Sequence, residues 1–384
     1  MEHIPILIAG GGPAGLAAAA ALAAEGHRVL LCDPAPEAAR TARDRRTTAI
    51  LQQGRALLER AGAWTRLDER PVALDEMRVV DLRANRAARF RAREISERPF
   101  GWNVRNGALR RALESRVEAL GVAWRAAGVA ALVNRSGEAL VTLSDGLRLR
   151  ADLVIGADGK ESRVRAAAGI GARTARPGQR ALSFTVAHGA PHANVSTELY
   201  DAGGPLVLVP LPDEPDAVPP HRSAVVWMTA APEAERLAAL HPDALSEAAT
   251  ARSGGVLGPL RALDAPAIWP VEFRLADRFA AGRVALMAEA AHALPPIGAQ
   301  GLNMSLADAA ALRDLCAAGP AAANLAAYDR ARRPDAAARL AAVAALNGAA
   351  IGAGPLGGLR GAGIGLLAAA PPLRRGLMRL GLGA

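Results

Sequence analysis

Aromatic side chains make up only 3% of the 384 residues, and there is a single lysine, Lys160. So few rings exclude a platform of stacked aromatics for single-stranded nucleic acid, and no nucleic-acid-binding motif is present. The two cysteines, Cys32 and Cys316, are far apart and form no CxxC pair. That excludes a disulfide framework and fits a reducing cytoplasm. The N-terminus lacks a basic leader region, so it does not read as a signal peptide. No run is apolar enough to span a bilayer; the longest uncharged segment of the tail, Leu340 to Leu359, is rich in Gly and Ala and contains Asn347 and Pro355. Neither a G-x-S-x-G elbow nor a Walker lysine occurs. His188 and His192 are four apart, but Pro191 between them breaks the helix that would aim both at one metal, so none is expected.

What the chain does have is aliphatic mass and arginine. Hydrophobic residues reach 51%, ample for a sizeable core, and the formal net charge is +9. Such a surface attracts phosphates and acidic membranes, or is simply solvated. His3 to Ala9 reads as a buried strand, Pro13 to Glu25 as a helix stopped by Gly26, and Arg28 to Asp33 as a second strand, a βαβ opening. Thr47 to Ala61 and Asn106 to Leu120 carry helical patterns. Asp145-Gly146 marks a hairpin. From about Arg176 to Leu275 the texture is mostly β, with one helix near Pro232 to Leu240; Trp269, Val271, Phe273 and Leu275 alternate as a strand would. The strand–turn–helix pattern returns after Gly282, with a helix starting near Leu302.

Three motifs carry chemistry. Gly10, Gly12 and Gly15 form G-x-G-x-x-G between a strand and a helix, the arrangement in which glycines permit a tight turn, approach of a pyrophosphate and close helix–strand packing. Free N–H groups at the helix end attract the anion. Asp33 ends the next strand, where a carboxylate can accept from a ribose hydroxyl. The motif alone does not separate FAD from NAD. The second motif is Asp158-Gly159, just after a strand. The third is "ALMAEAAHALPPIGAQGLN". The backbone N–H groups of Leu302 and Asn303, exposed at a positive helix end, suit a ring system that gains negative charge on reduction.

In this order and spacing the motifs resemble the single-component FAD-dependent aromatic hydroxylases, the group of para-hydroxybenzoate hydroxylase. Within it, "RDRRTTAI" from Arg43, "FGWNVRNGALRRAL" from Phe100 and "PPIGAQGLN" from Pro295 are most similar to the ubiquinone-biosynthesis hydroxylases. The resemblance implies an α/β fold: a Rossmann-like FAD-binding domain (1–70, 100–175 and 276–340), an inserted β-sheet substrate domain (71–99 and 176–275) and a C-terminal helical tail (341–384). By position, Gly10, Gly12 and Gly15 would hold the FAD pyrophosphate and Asp33 the adenosine ribose. Arg46 and Arg105 would lie near the flavin and its phosphates, and Asp158 with Gly159 would serve FAD and NAD(P)H. Pro296, Gly298, Gly301, Leu302 and Asn303 would run along the isoalloxazine ring, with Pro296, Gly298 and Gly301 the candidates closest to the reaction. The family's Gly-Asp at the ribityl chain is Ala288-Glu289 here; Glu289 keeps the acidic acceptor. His292 is expected to shape the site.

The implied activity is a monooxygenase. NADH or NADPH reduces FAD, O2 forms a C4a-hydroperoxide, and one oxygen passes to a small hydrophobic aromatic substrate, a polyprenylated phenol. A cytoplasmic location is implied, with the arginine-bearing tail either touching the inner membrane face or simply packing, and with membership of a ubiquinone-biosynthesis complex. Nucleic acid is not an expected partner. Two alternatives stay open: a reductase or halogenase on the same scaffold, and a degenerate flavoprotein serving as a scaffold of that complex.

Overall fold

The computed structural model describes residues 1–35, 44, 46–201, 203–351 and 355–382. Arg43 and Arg45 of the RDRRTTAI segment lie outside them. The chain builds two eight-stranded sheets. In the first, parallel neighbours run Val284–Leu286, Arg148–Gly156, Glu2–Ala9, Val29–Cys32 and Ala123–Arg125. The helix Pro13–Ala24 crosses between the Glu2–Ala9 and Val29–Cys32 strands. Every residue from Gly15 to Leu22 is buried, as expected of a helix that is apolar all round and covered on all sides. It packs between the sheet and the helices Asn106–Ala119 and Gln300–Leu315. The hairpin at Asp145-Gly146 forms, with Ala139–Leu143 antiparallel to Arg148–Gly156.

The second sheet is ordered Arg261–Ala262, Gln179–His188, His221–Ala230, Gly204–Pro210, Val195–Asp201, Glu76–Asp81 and Arg86–Arg91, with Ala267–Pro270 also on Gln179–His188. The period of two sorts its side chains. Leu182, Phe184, Leu199, Leu206, Leu208 and Val225 pack outward beneath the helices Ala231–Ala238 and Pro242–Arg252. Their alternates, among them Ser183, Glu198, Val207, Val209 and Val226, face inward onto a cavity.

Three expectations need correction. Thr47–Leu51 is a strand, antiparallel to Gly101–Arg105, and the helix begins only at Gln52. The β-branched Thr47, Thr48 and Ile50 gain a partner strand there, which outweighs the helical spacing. A second helix, Pro242–Arg252, joins the expected one in the β-rich region; Pro242 at its first position and Asp243 in its first turn are its start signals. The alternating Trp269–Leu275 run is two strands in different sheets, Ala267–Pro270 and Phe273–Ala276, broken at Val271 and Glu272. The last long helix is Leu325–Ile351. Two shorter helices, Pro355–Ala369 and Pro371–Leu382, follow it.

Candidate active site

One cavity of about 1920 Å³ runs from the glycine loop to the inner face of the second sheet. Drug-sized pockets enclose roughly 300–1,000 Å³, so this space admits a large cofactor and a second molecule together. Its first wall holds Gly10, Gly12, Pro13, Ala14 and Asp33. The Gly10 N–H donates to the Cys32 carbonyl at 2.8 Å, and Gly10 has φ +112°. A methyl on Gly10 would lie 2.2 Å from the Ala157 carbonyl oxygen, and one on Gly15 would lie 1.9 Å from the Gly10 carbonyl oxygen. Gly12, in contrast, faces open space. The helix behind it begins with Pro13 and has no side-chain cap, so its first N–H groups point into the cavity unpaired by side chains. Asp33 accepts from the N–H groups of Gly11 and Ala35, which fixes its carboxylate at the cavity edge. These are the features a pyrophosphate and an adjoining ribose require.

The middle of the cavity gathers the other two motifs. Asp158 accepts from the Ser162 hydroxyl and the Val164 N–H, so it also stabilises the start of the short helix Arg163–Ala167. Gly159 and Lys160 follow it along the wall. Arg46 lines the cavity, paired with Asp44 at 2.7 Å and with its guanidinium 5.5 Å from the centre of the Trp269 ring. Opposite run Pro296, Gly298, Gly301 and Leu302, ending at the uncapped start of the helix Gln300–Leu315.

Two predicted residues sit differently. Arg105 does not line the cavity; its guanidinium pairs with Glu69 at 3.2 Å. The Asn303 side chain turns away from the cavity and ties the loop to the strand Thr47–Leu51. It donates to the Ala49 and Ala299 carbonyls, both at 2.7 Å, and accepts from the Leu51 N–H at 2.8 Å.

Ala288 and Glu289 form a single 3-10 turn. Ala288 has φ +54°, a left-handed conformation that costs a residue with a Cβ roughly 1–2 kcal/mol. Glu289 reaches the cavity, 3.9 Å from the Lys160 ammonium. Ala288→Gly is therefore expected to stabilise the protein by about 0.5–1 kcal/mol, the strain relieved less the extra freedom glycine has when unfolded. Denaturant titration checks this, and an unchanged midpoint would mean that the turn is unstrained. Glu289→Ala is expected to weaken flavin retention without unfolding the chain. Flavin absorbance per polypeptide after gel filtration reads this; full retention would show that Glu289 takes no part in binding.

Beneath this turn lies a buried ionic network. Asp308 is fully buried; it accepts from the His292 ring at 2.6 Å, from Arg332 at 2.8 Å and from the Ala288 N–H at 3.2 Å. Burial alone would raise the Asp308 pKa. The His292 ring and the Arg332 guanidinium outweigh it and hold the carboxyl below the ordinary range. His292 thus connects to the Ala288 turn through Asp308. Burial pushes the Cys32 thiol, at the cavity wall, up to about 12 and the Cys316 thiol up to about 11.

Sequence reasoning missed the polar groups on the substrate-side sheet: Ser183, Ser196, Glu198 and Tyr200 all line the cavity. The signal was present in "VSTELY", where Ser196, Glu198 and Tyr200 alternate and so share a face.

Residues 3–343 match the family described as FAD binding domain. This chain belongs to that family. Among its relatives, it is 34% identical to the ubiquinone hydroxylase UbiL of Rhodospirillum rubrum, over 98% of this chain and 89% of that one. It is 29% identical to the 3-demethoxyubiquinol 3-hydroxylase of Escherichia coli, over 81% and 78% of the two chains. The fold matches that of p-nitrophenol 4-monooxygenase PnpA from Pseudomonas putida, with a TM-score of 0.78 over 98% and 97% of the chains at 20% identity. The protein is an FAD-dependent aromatic monooxygenase with the para-hydroxybenzoate hydroxylase-like fold. The glycine cradle and the two uncapped helix starts described above fit FAD.

Proposed function

We propose that this FAD-dependent monooxygenase hydroxylates the ring of a polyprenylated phenol on the way to ubiquinone, with electrons from NADH or NADPH and one oxygen atom from O2. The observation that carries the reading is the continuity of one cavity, from the anion-binding glycine loop to a largely apolar sheet face. Gly10, Gly12 and Gly15 take the pyrophosphate, Asp33 the adenosine ribose and Glu289 the ribityl chain. Arg46 and Asp158 flank the cofactor. Pro296, Gly298, Gly301 and Leu302 lie along the ring, and Asn303 holds that loop in place. FAD supplies electron storage and oxygen activation when bound. The helix starting at Gln300 presents its positive end where negative charge gathers, already oriented before the reaction. Residues 1–70, 100–175 and 276–340 form the cofactor unit, and 71–99 with 176–275 the substrate unit.

A lipid-tailed substrate also gives a role to the C-terminal helices. Leu346, Ile364, Leu367, Leu377 and Met378 extend the cavity wall away from the polar centre, a path for an isoprenoid tail. Outside, Leu373 is exposed on the helix that also carries Arg374, Arg375 and Arg379. This composition suits the surface of an anionic membrane and docking beside other ubiquinone-making enzymes. No helix among the described residues is long and apolar enough to cross a bilayer. Deleting the gene is expected to lower ubiquinone and accumulate a prenylated intermediate lacking one ring hydroxyl. Unchanged quinone content in the deletion strain would refute the assignment.

A further inference from the structure

The substrate-side face of the cavity is mostly aliphatic, and one carboxyl stands in it. Glu198 is only 7% exposed and lines the cavity from the strand Val195–Asp201. Its neighbours in register are Val79 on one side and Val207 on the other, so the sheet offers it no counter-charge. Its hydrogen-bond partner is a neutral donor, the Tyr200 hydroxyl at 3.1 Å, and the backbone N–H of Gly298 lies close enough to favour its charged form. Gly298 belongs to the loop assigned above to the flavin ring. Glu198 therefore sits where the substrate sheet meets the flavin loop, and it forms no ion pair among the described residues. Other ionisable groups lie on the strand paired with it, Glu76 at the wall of the same cavity. Asp81 on the adjacent strand, in register with Tyr200, accepts from the Arg83 and Ala84 N–H groups, and Glu76 pairs with Arg78 and Arg91.

A buried carboxyl with no cation beside it is costly to retain for packing alone. An aliphatic residue would fill the space between two valines more favourably. We propose that Glu198 is the proton acceptor that contacts the ring hydroxyl of the phenolic substrate. This rests on the aromatic-hydroxylase reading given above. The substrate O–H bond breaks, its electron pair stays on the ring oxygen, and the proton passes to a Glu198 carboxylate oxygen. The ring gains electron density at the carbons ortho and para to that oxygen. There the new C–O bond forms with one atom of O2; the other leaves as water, with the electrons drawn from NAD(P)H. The ring carbon loses its proton to solvent, which restores aromaticity, and Glu198 returns its proton to the oxygen. The Tyr200 and Gly298 donors hold the carboxylate in place with its acceptor capacity only partly used. Burial raises the carboxyl pKa against the pull of these two donors, which brings it closer to that of a phenol and improves the transfer.

The test uses full-length, FAD-loaded protein with 2-geranylphenol as the turnover probe. A second probe is 4-hydroxyacetophenone, whose ionisation is visible in its absorption. Glu198→Gln keeps the size and can still accept from Gly298. It is expected to lower kcat by about 10²–10⁴-fold, the usual contribution of a positioned base, while KM changes little and flavin stays bound. NAD(P)H oxidation then continues without hydroxylated product. Glu198→Asp should recover part of kcat. Bound 4-hydroxyacetophenone should ionise fully at higher pH in the wild type than in Glu198→Gln, because the adjacent carboxylate opposes a second negative charge. Wild-type kcat and an unchanged probe titration in Glu198→Gln would overturn the proposal. Should Glu198→Gln fail to fold, Tyr200→Phe decides: loss of a donor to the carboxylate must move the kcat–pH profile upward, and an unmoved profile overturns the proposal. If the wild type itself hydroxylates no phenol, the hydroxylase reading fails. If it does so and Glu198→Gln matches it, only the role of Glu198 fails.

Discussion

Gly15→Ala is expected to give a folded protein that is purified without its flavin. The added methyl would meet the Gly10 carbonyl oxygen at 1.9 Å. That oxygen is backbone and cannot swing aside as a side-chain tip would. The helix Pro13–Ala24 is buried around its whole circumference, so it cannot back away without displacing the core. The glycine loop must therefore yield, and with it the N–H groups that face the cavity. Overpacking of this kind costs about 1–3 kcal/mol of stability, tolerable for a chain with so large a core. Misplacing a preorganised group by about 1 Å costs on the order of a hundredfold in function, and we expect flavin affinity to fall by at least that factor. Flavin absorbance per polypeptide after gel filtration, with a fluorescence titration of apoprotein, measures it. One tightly held flavin per chain in the variant would contradict the close-packing account of Gly15.

Asp308→Ala is expected to cost about 3–5 kcal/mol of stability, the range found when one partner of a buried ion pair is removed. The substitution strands the buried His292 ring and takes from Arg332 its most deeply buried partner, though Asp335 at 2.9 Å still engages that guanidinium. It also frees the Ala288 N–H, so the turn bearing Glu289 loses its footing and flavin retention should fall with stability. The pH dependence follows from the direction of the shift. The folded carboxyl titrates below its unfolded value of about 3.9. Its contribution is therefore complete above that value and lost as pH falls through it toward the folded pKa. Denaturant melts between pH 7 and pH 3 should show the wild type losing stability more steeply than the variant at the acid end. Parallel curves would mean that Asp308 is not held ionised by its neighbours.

The glycine loop and its strand–turn–helix setting were largely legible in the sequence. Gly10, Gly12, Gly15 and Asp33 are local in the chain and constrained by backbone geometry, so spacing alone locates them. The loop from Pro295 to Leu302 was legible for the same reason: a strand end, prolines and a helix start are all local signals. Arg105 and Asn303 show the limit. Position along the chain places them near the loop, but side-chain direction depends on partners far away, Glu69 for one and the strand Thr47–Leu51 for the other. Thr47–Leu51 itself read as helix because its strand character exists only beside Gly101–Arg105. Glu198 was illegible as a functional residue. A lone Glu in a strand is ordinary, and its meaning appears only when the sheet closes against the Gly298 loop.

The central claim is that this chain uses FAD to place one atom of O2 on an aromatic ring. It is tested most directly by single-product turnover of purified, FAD-loaded enzyme with NADH or NADPH, 2-geranylphenol and 18O2, read by mass spectrometry. The account predicts one 18O atom in each hydroxylated product and none when the label is supplied only in water. Electron transfer to substrate with no oxygen from O2 in the product would contradict it.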